Sequence, residues 1–272
     1  MTMHTEMGNK QITLERENPN IMQGTGSRHG MMRSPGRMGA GLALLAIPVA
    51  LAMLARRRSS GKSALPREII DTLNFGLTLE YLESSFYNQA VASGVIPSPD
   101  LPVFRQIQQH ENAHVAFFRS ALGDKAVRQP KFDFTAGGKF DPFHDYQTFM
   151  TLSQGFEDTG VRAFKGQAGN LMSNDDILTT ALRIHSVEAR HASEVRRLRK
   201  LKGWVTGDEA NGPAALLQAG VYAGDSTWPS EGNTTQLGID VGQFQGAEAG
   251  SEAFDEPITA EHALRIASQF MM

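Results

Sequence analysis

The chain has 272 residues, 40% of them hydrophobic and 20% charged, which is enough for one or two domains with a buried core. A formal net charge of −3 supplies no global basic field for nucleic acid. With no cysteine, the chain has no disulfides, thiolate nucleophiles, zinc fingers or iron–sulfur clusters, so any metal must be held by Asp, Glu and His.

Residues 1–37 are polar and aperiodic, the composition of a disordered region. From Met38 to Ala55 run eighteen residues without a charge, with Arg33 and Arg37 before them and Arg56, Arg57 and Arg58 after. A segment apolar all round with arginine at both ends is unsuited to a core helix. Residues 38–58 read as the apolar part of an export signal, with small residues at Ala50, Ala52 and Ala55, or as a short membrane span. Three arginines directly after a cleavage motif weigh against Sec export, and basic residues on both flanks leave orientation open. Either reading places the protein in the cell envelope, exported or attached through 38–55. Residues 59–66 form a linker.

A long helix is expected from Arg67 until Gly94 and Pro97 stop it, with the stripe Leu73, Leu77, Glu80, Ser84, Tyr87, Val91. Glu80 holds a core position in it, and Glu83, one step round, competes for the same role. A second helix opens at Ser98 or Asp100 as cap, with Pro102 in its first turn, and ends at Gly123. Its stripe is Phe104, Ile107, Glu111, His114, Phe118, Ala121. Residues 123–142 are long for a link between neighbouring helices and suggest a crossover. A third helix, 143–168, carries Met150, Glu157 and Phe164 at heptad steps; Gly155, Gly160 and Gly166 weaken it but admit a close neighbour. Asn174 or Asp175 caps a fourth helix with the stripe Ile177, Ala181, Ile184, Glu188, His191, Val195, Leu198. Beyond Lys202, residues 203–272 form a Gly-rich extension ending in a short helix at 259–270, placed to wrap the bundle or mediate assembly.

Four helices thus each carry a carboxylate in an apolar stripe, and two carry a histidine three residues on. Burying an unpaired carboxylate costs several kcal/mol or forces it to neutralise. The spacing is duplicated: Glu80 and Glu157, Glu111 and Glu188, and His114 and His191 are each 77 residues apart. Such two-fold pseudo-symmetry suits a dinuclear metal site in which each ion takes one histidine and one terminal glutamate while the other carboxylates bridge. It matches the ligand pattern of ferritin-like di-iron and di-manganese bundles. Oxygen and nitrogen donors suit iron and manganese, and four carboxylates balance two divalent cations. Tyr87 is either a core aromatic or a group hydrogen-bonded to a ligand carboxylate. His110, His144 and His185 lie off the stripes or outside the pattern and read as surface or outer-sphere residues; His185, three before Glu188, reaches toward the rim of the site.

The segments LNFGLTLEYLESSFYNQA, HENAHVAFFRSALG, GFEDTGVRAFKGQA and SVEARHASEVRRLR together resemble the ferritin-like domain family. The branch most similar includes the plant desiccation-related proteins and bacterial exported relatives, and the tail segment EAFDEPITAEHALRIASQF is similar to that branch too. The resemblance covers about 68–270. It implies an all-α, ferritin-like four-helix bundle with a long crossover between helices 2 and 3. It also implies two iron or manganese ions, iron favoured, on Glu80, Glu111, His114, Glu157, Glu188 and His191. Relatives store iron, oxidise ferrous iron, or reduce or dismutate peroxide. The missing rubredoxin-type cysteines argue against rubrerythrin-type electron transfer, and the apolar segment argues against a soluble 24-subunit cage. Two functions follow as expectations. One is an oxidoreductase acting on oxygen or peroxide in oxidative or desiccation stress. The alternative is a non-enzymatic envelope protein, protective or interacting, with a structural or vestigial metal site. Homo-oligomerisation is left open.

Overall fold

The computed structural model describes residues 65–208 and 220–272. The expected disordered region 1–37 and apolar segment 38–58 lie outside the described residues, as does the linker 59–66 apart from Leu65 and Pro66. Among the described residues, no helix is long and apolar enough to cross a membrane.

The architecture is helical. Helix α1 spans Arg67–Ser93, α2 Leu101–Leu122, α3 Tyr146–Gln167 and α4 Asp175–Leu198. Helices α1 and α2 pack as one hairpin and α3 and α4 as another, and α1 also meets α3. The crossover occupies 123–145.

The helix boundaries follow local chemistry. Gly94 ends α1 in a left-handed conformation at φ 79°. Two start sites differ from expectation. Asp100 precedes α2, but its side chain makes no cap bond; it accepts from Tyr146 Oη at 2.6 Å instead, tying α2 to the start of α3. Helix α3 starts at Tyr146 rather than 143, because Asp145 accepts from the Thr148 amide at 2.8 Å and so fixes the first turn. Asn174, not Asp175, caps α4, accepting from Ile177 N at 3.2 Å.

The extension holds a two-residue hairpin, β1 (Thr235–Gln236) with β2 (Ile239–Asp240), two short helices α5 (Gly242–Gln245) and α6 (Ala247–Glu252), and α7 (Ala260–Ala267), which continues as a 3₁₀ turn to Phe270. Thr259 caps α7, accepting from His262 N. Ile258, Ala263, Ile266, Ala267 and Phe270 are buried in the same hydrophobic cluster as α1 and α3. Gly166 permits this: a methyl group there would stand 2.1 Å from the Ile258 carbonyl oxygen. Arg162, 2% exposed, fastens the tail, donating to the Val221, Ala223 and Glu256 carbonyls and pairing with Glu231 at 2.7 Å.

Two apolar clusters divide the bundle along its length. One gathers Phe86, Tyr87, Phe104, Phe149 and Phe156, with the crossover's Phe134 against Phe86 at 5.1 Å. The other gathers Ile69, Leu73, Phe117, Phe118, Ile177 and Ile184. The four glutamates and two histidines of the apolar stripes fall between them.

Candidate metal centre

Glu80, Glu111, Glu157 and Glu188 come from four different helices and are each 0% exposed; His114 and His191 are buried beside them. The i, i+3 spacing puts each Glu and its His on one helix face. His114 Nδ1 lies 3.2 Å from Glu80 Oε2, 3.3 Å from Glu111 Oε2 and 3.1 Å from Glu188 Oε1. His191 Nδ1 lies 2.9 Å from Glu111 Oε1, 3.3 Å from Glu157 Oε2 and 3.8 Å from Glu188 Oε2.

These six residues form two overlapping donor sets. Glu80, Glu111, His114 and Glu188 make one; Glu111, Glu157, Glu188 and His191 make the other. Glu111 and Glu188 belong to both, so each set adds one terminal carboxylate and one imidazole to two shared carboxylates.

The donor atoms fit cations better than each other. Both oxygens of Glu80, both of Glu188, Glu111 Oε1, Glu157 Oε2 and His191 Nδ1 are buried without a well-directed hydrogen bond among the described residues, although imidazole and carboxylate groups of the cluster approach one another closely. Buried polar atoms are rarely left so, and such a concentration needs a reason. Atoms held about 2.1 Å from a common cation and at right angles to one another stand about 3 Å apart, the spacing seen here.

Electrostatics agree. Burial pushes the Glu80 carboxyl well above its ordinary range despite His114, and burial pushes Glu157 to about 8. Burial pushes Glu111 the same way, but His114 and His191 win and hold it low. Glu188, raised by burial and by Glu111, is brought below its usual value by the two histidines beside it. Burial disfavours charge on the histidines as well. Glu80 and Glu111 nevertheless raise His114 well above its ordinary value, and Glu157 does the same for His191. The cluster is thus pushed toward protonated imidazoles and protonated Glu80 and Glu157, and toward ionised Glu111 and Glu188. Two divalent cations can replace those four protons with no change in net charge.

The neighbouring candidates separate. Tyr87 is buried and donates from Oη to Glu157 Oε1 at 2.5 Å, so it is both a core aromatic and a partner of the site. Glu83 is buried beside the cluster, outside both donor sets, with Oε2 unpartnered; burial and then Glu188 keep its carboxyl protonated well above the usual range. His185 is half-buried, belongs to neither donor set and is lowered by burial and by Lys165. His144 is an exposed residue paired with Asp141 at 2.7 Å.

His110 matters more than its off-stripe position suggests. Its Nδ1 lies 2.8 Å from His191 Nε2, the rings stack with centroids 5.1 Å apart, and its Nε2 meets the Gln106 amide at 2.7 Å. One signal for it was present: His110 sits four residues before His114, one turn along the same helix.

Helices α2 and α4 are parted by a groove of about 760 Å³. Its walls include Val103, Ile107, Ile184 and Val187, and His110, His114 and His191 also line it.

Residues 68–201 match the family model described as a ferritin-like domain. No curated protein matches the chain.

Proposed function

We propose that the ferritin-like segment 68–201 binds two iron or manganese ions, iron favoured, and acts as an oxidoreductase on oxygen or peroxide. The observation that carries this reading is the pair of donor sets sharing Glu111 and Glu188. Their donors are oxygen and nitrogen only, the set that suits these metals. A bound metal pair supplies the redox equivalents and Lewis acidity that the side chains lack.

The chain's own residues do the positioning. Glu80 with His114, and Glu157 with His191, would hold one ion each, and Glu111 and Glu188 would serve both. Tyr87 fixes the Glu157 carboxylate through its hydrogen bond. The apolar clusters on either side shield the centre from water along the length of the bundle. The groove between α2 and α4 is the way in for a small molecule, since the site's histidines line it.

Protection against oxidative or desiccation stress at the cell envelope is the setting that fits such chemistry with the uncharged run 38–55. All six donors are present and buried together, which supports a metal-competent site over a vestigial one. The test is elemental analysis of protein purified without chelators, followed by assays of peroxide loss and ferrous oxidation. Two metals per chain with turnover in either assay supports the reading. Metal-free protein that takes up neither iron nor manganese refutes it.

A further inference from the structure

We propose that the two metal positions are unequal: the Glu157/His191 position fills first and holds its ion more tightly, because the hydrogen bonds of Tyr87 and His110 serve it alone. The inference rests on the two-metal reading above.

The ligand set is symmetric and its surroundings are not. The 77-residue offset that relates Glu80 to Glu157 and His114 to His191 relates Tyr87 to Phe164, His110 to Val187 and Glu83 to Gly160. Phenylalanine and valine have no polar atom to offer. Glu157 Oε1 accepts from Tyr87, whereas Glu80 has His114 beside it and no hydrogen bond from outside the six donors among the described residues. His191 Nε2 meets His110, whereas no hydrogen bond reaches His114 Nε2 among the described residues. Both outer contacts thus fall on one of the two positions.

The contact at His191 also fixes the orientation of its ring. A lone pair on Nδ1 requires the ring proton on Nε2, which is then donated to His110 Nδ1. His110 would then carry its proton on Nε2, which faces Gln106 Nε2 at 2.7 Å, so that state needs the Gln106 amide turned to present its oxygen. His110 therefore holds the His191 ring in place with Nδ1 toward the carboxylates. His114, with Val187 at the equivalent place, gains no such bias. Partners of this kind are typically worth about 10- to 100-fold in metal affinity. Tyr87 and His110 are positioning residues on this account; neither belongs to a donor set.

The experiment is a titration of the chelator-stripped full chain with Mn(II), with free ion read by electron paramagnetic resonance. Wild-type protein should take up two ions, the first at least about tenfold more tightly than the second. His114→Ala should keep the tight ion and His191→Ala should lose it. The pair Tyr87→Phe and His110→Val, which copies the residues found at the equivalent positions, should bring the two steps together while circular dichroism shows the helices intact. Two ions bound with one affinity, or a tight step that survives in His191→Ala, overturns the inference and leaves the two-metal reading standing. No Mn(II) bound by the wild-type chain overturns both.

Discussion

Gly160 makes room for Glu83. A methyl group at Gly160 would stand 3.0 Å from Glu83 Oε1 and 3.7 Å from Glu188 Oε2. The two residues occupy equivalent positions in the two hairpins, so one half of the duplicated bundle carries an extra carboxyl and the other the space for it. Gly160→Ala adds helix propensity worth about 1 kcal/mol, which should hold the fold, while crowding Glu83 and the shared Glu188. The expected outcome is an undiminished melting temperature for metal-free protein and Mn(II) affinity lowered about tenfold. Isothermal titration calorimetry of the variant, with a melt recorded beside it, checks both halves.

The shared and terminal carboxylates should behave differently. Glu111→Gln and Glu188→Gln each damage both donor sets and should reduce metal content from two ions to none. Glu80→Gln and Glu157→Gln each damage one set and should leave one ion. Elemental analysis of the four variants, prepared alike, distinguishes the classes. Equal losses in all four would count against the bridging role.

The pH dependence of stability should change sign with metal. Between the ordinary carboxyl value of 4.5 and about 8, folded Glu157 holds a proton that the unfolded chain has lost, and Glu80 shifts in the same direction. The folded state then binds more protons, so stability falls as pH rises. His114 and His191, raised above 6.5, add stability that is fully present below that value and lost as pH climbs through their folded values. Glu111 and Glu188 act oppositely, but only as pH falls below 4.5. Metal-free protein should therefore melt at a lower temperature at about pH 8.5 than at about pH 5.5. Mn(II) displaces those protons, so the rise in melting temperature that it causes should grow over the same interval. Thermal melts at both pH values, with and without Mn(II), supply the comparison.

Helical periodicity made most of this arrangement readable in advance. A carboxylate in an apolar stripe stands out, and four of them with matching offsets identify a site without any knowledge of contacts. What periodicity does not contain is the direction of individual side chains across helices. Tyr87 was placed on the right face, but its bond to Glu157 depends on how α1 meets α3. His110 lies off the stripe, yet it is brought to His191 by the spacing of α2 and α4 across the groove. Asp100 has the composition of a cap and serves Tyr146 instead, 46 residues away. The tail was the least legible part. Its burial depends on the gap at Gly166 and on the Arg162 side chain, neither of which announces a partner 90 residues further on.

Arg162 should prove to be the fastening of that tail. Arg162→Ala leaves Glu231, 1% exposed, without its cation and frees the carbonyls that the guanidinium holds. Breaking a buried pair from one side typically costs ~3–5 kcal/mol. Replacing both residues together, Arg162→Met with Glu231→Leu, should recover part of that loss. Urea unfolding of the single and double variants measures it, and a single variant within 1 kcal/mol of wild type, on the order of a surface pair, would contradict the role.

The central claim is that six buried donors from four helices hold two ions between them. Inductively coupled plasma mass spectrometry of the full chain, purified without chelators beside Glu188→Gln, tests it most directly. The account predicts two iron or manganese ions per wild-type chain and none in the variant. Wild-type protein as free of metal as Glu188→Gln, even after incubation with both ions, would contradict it.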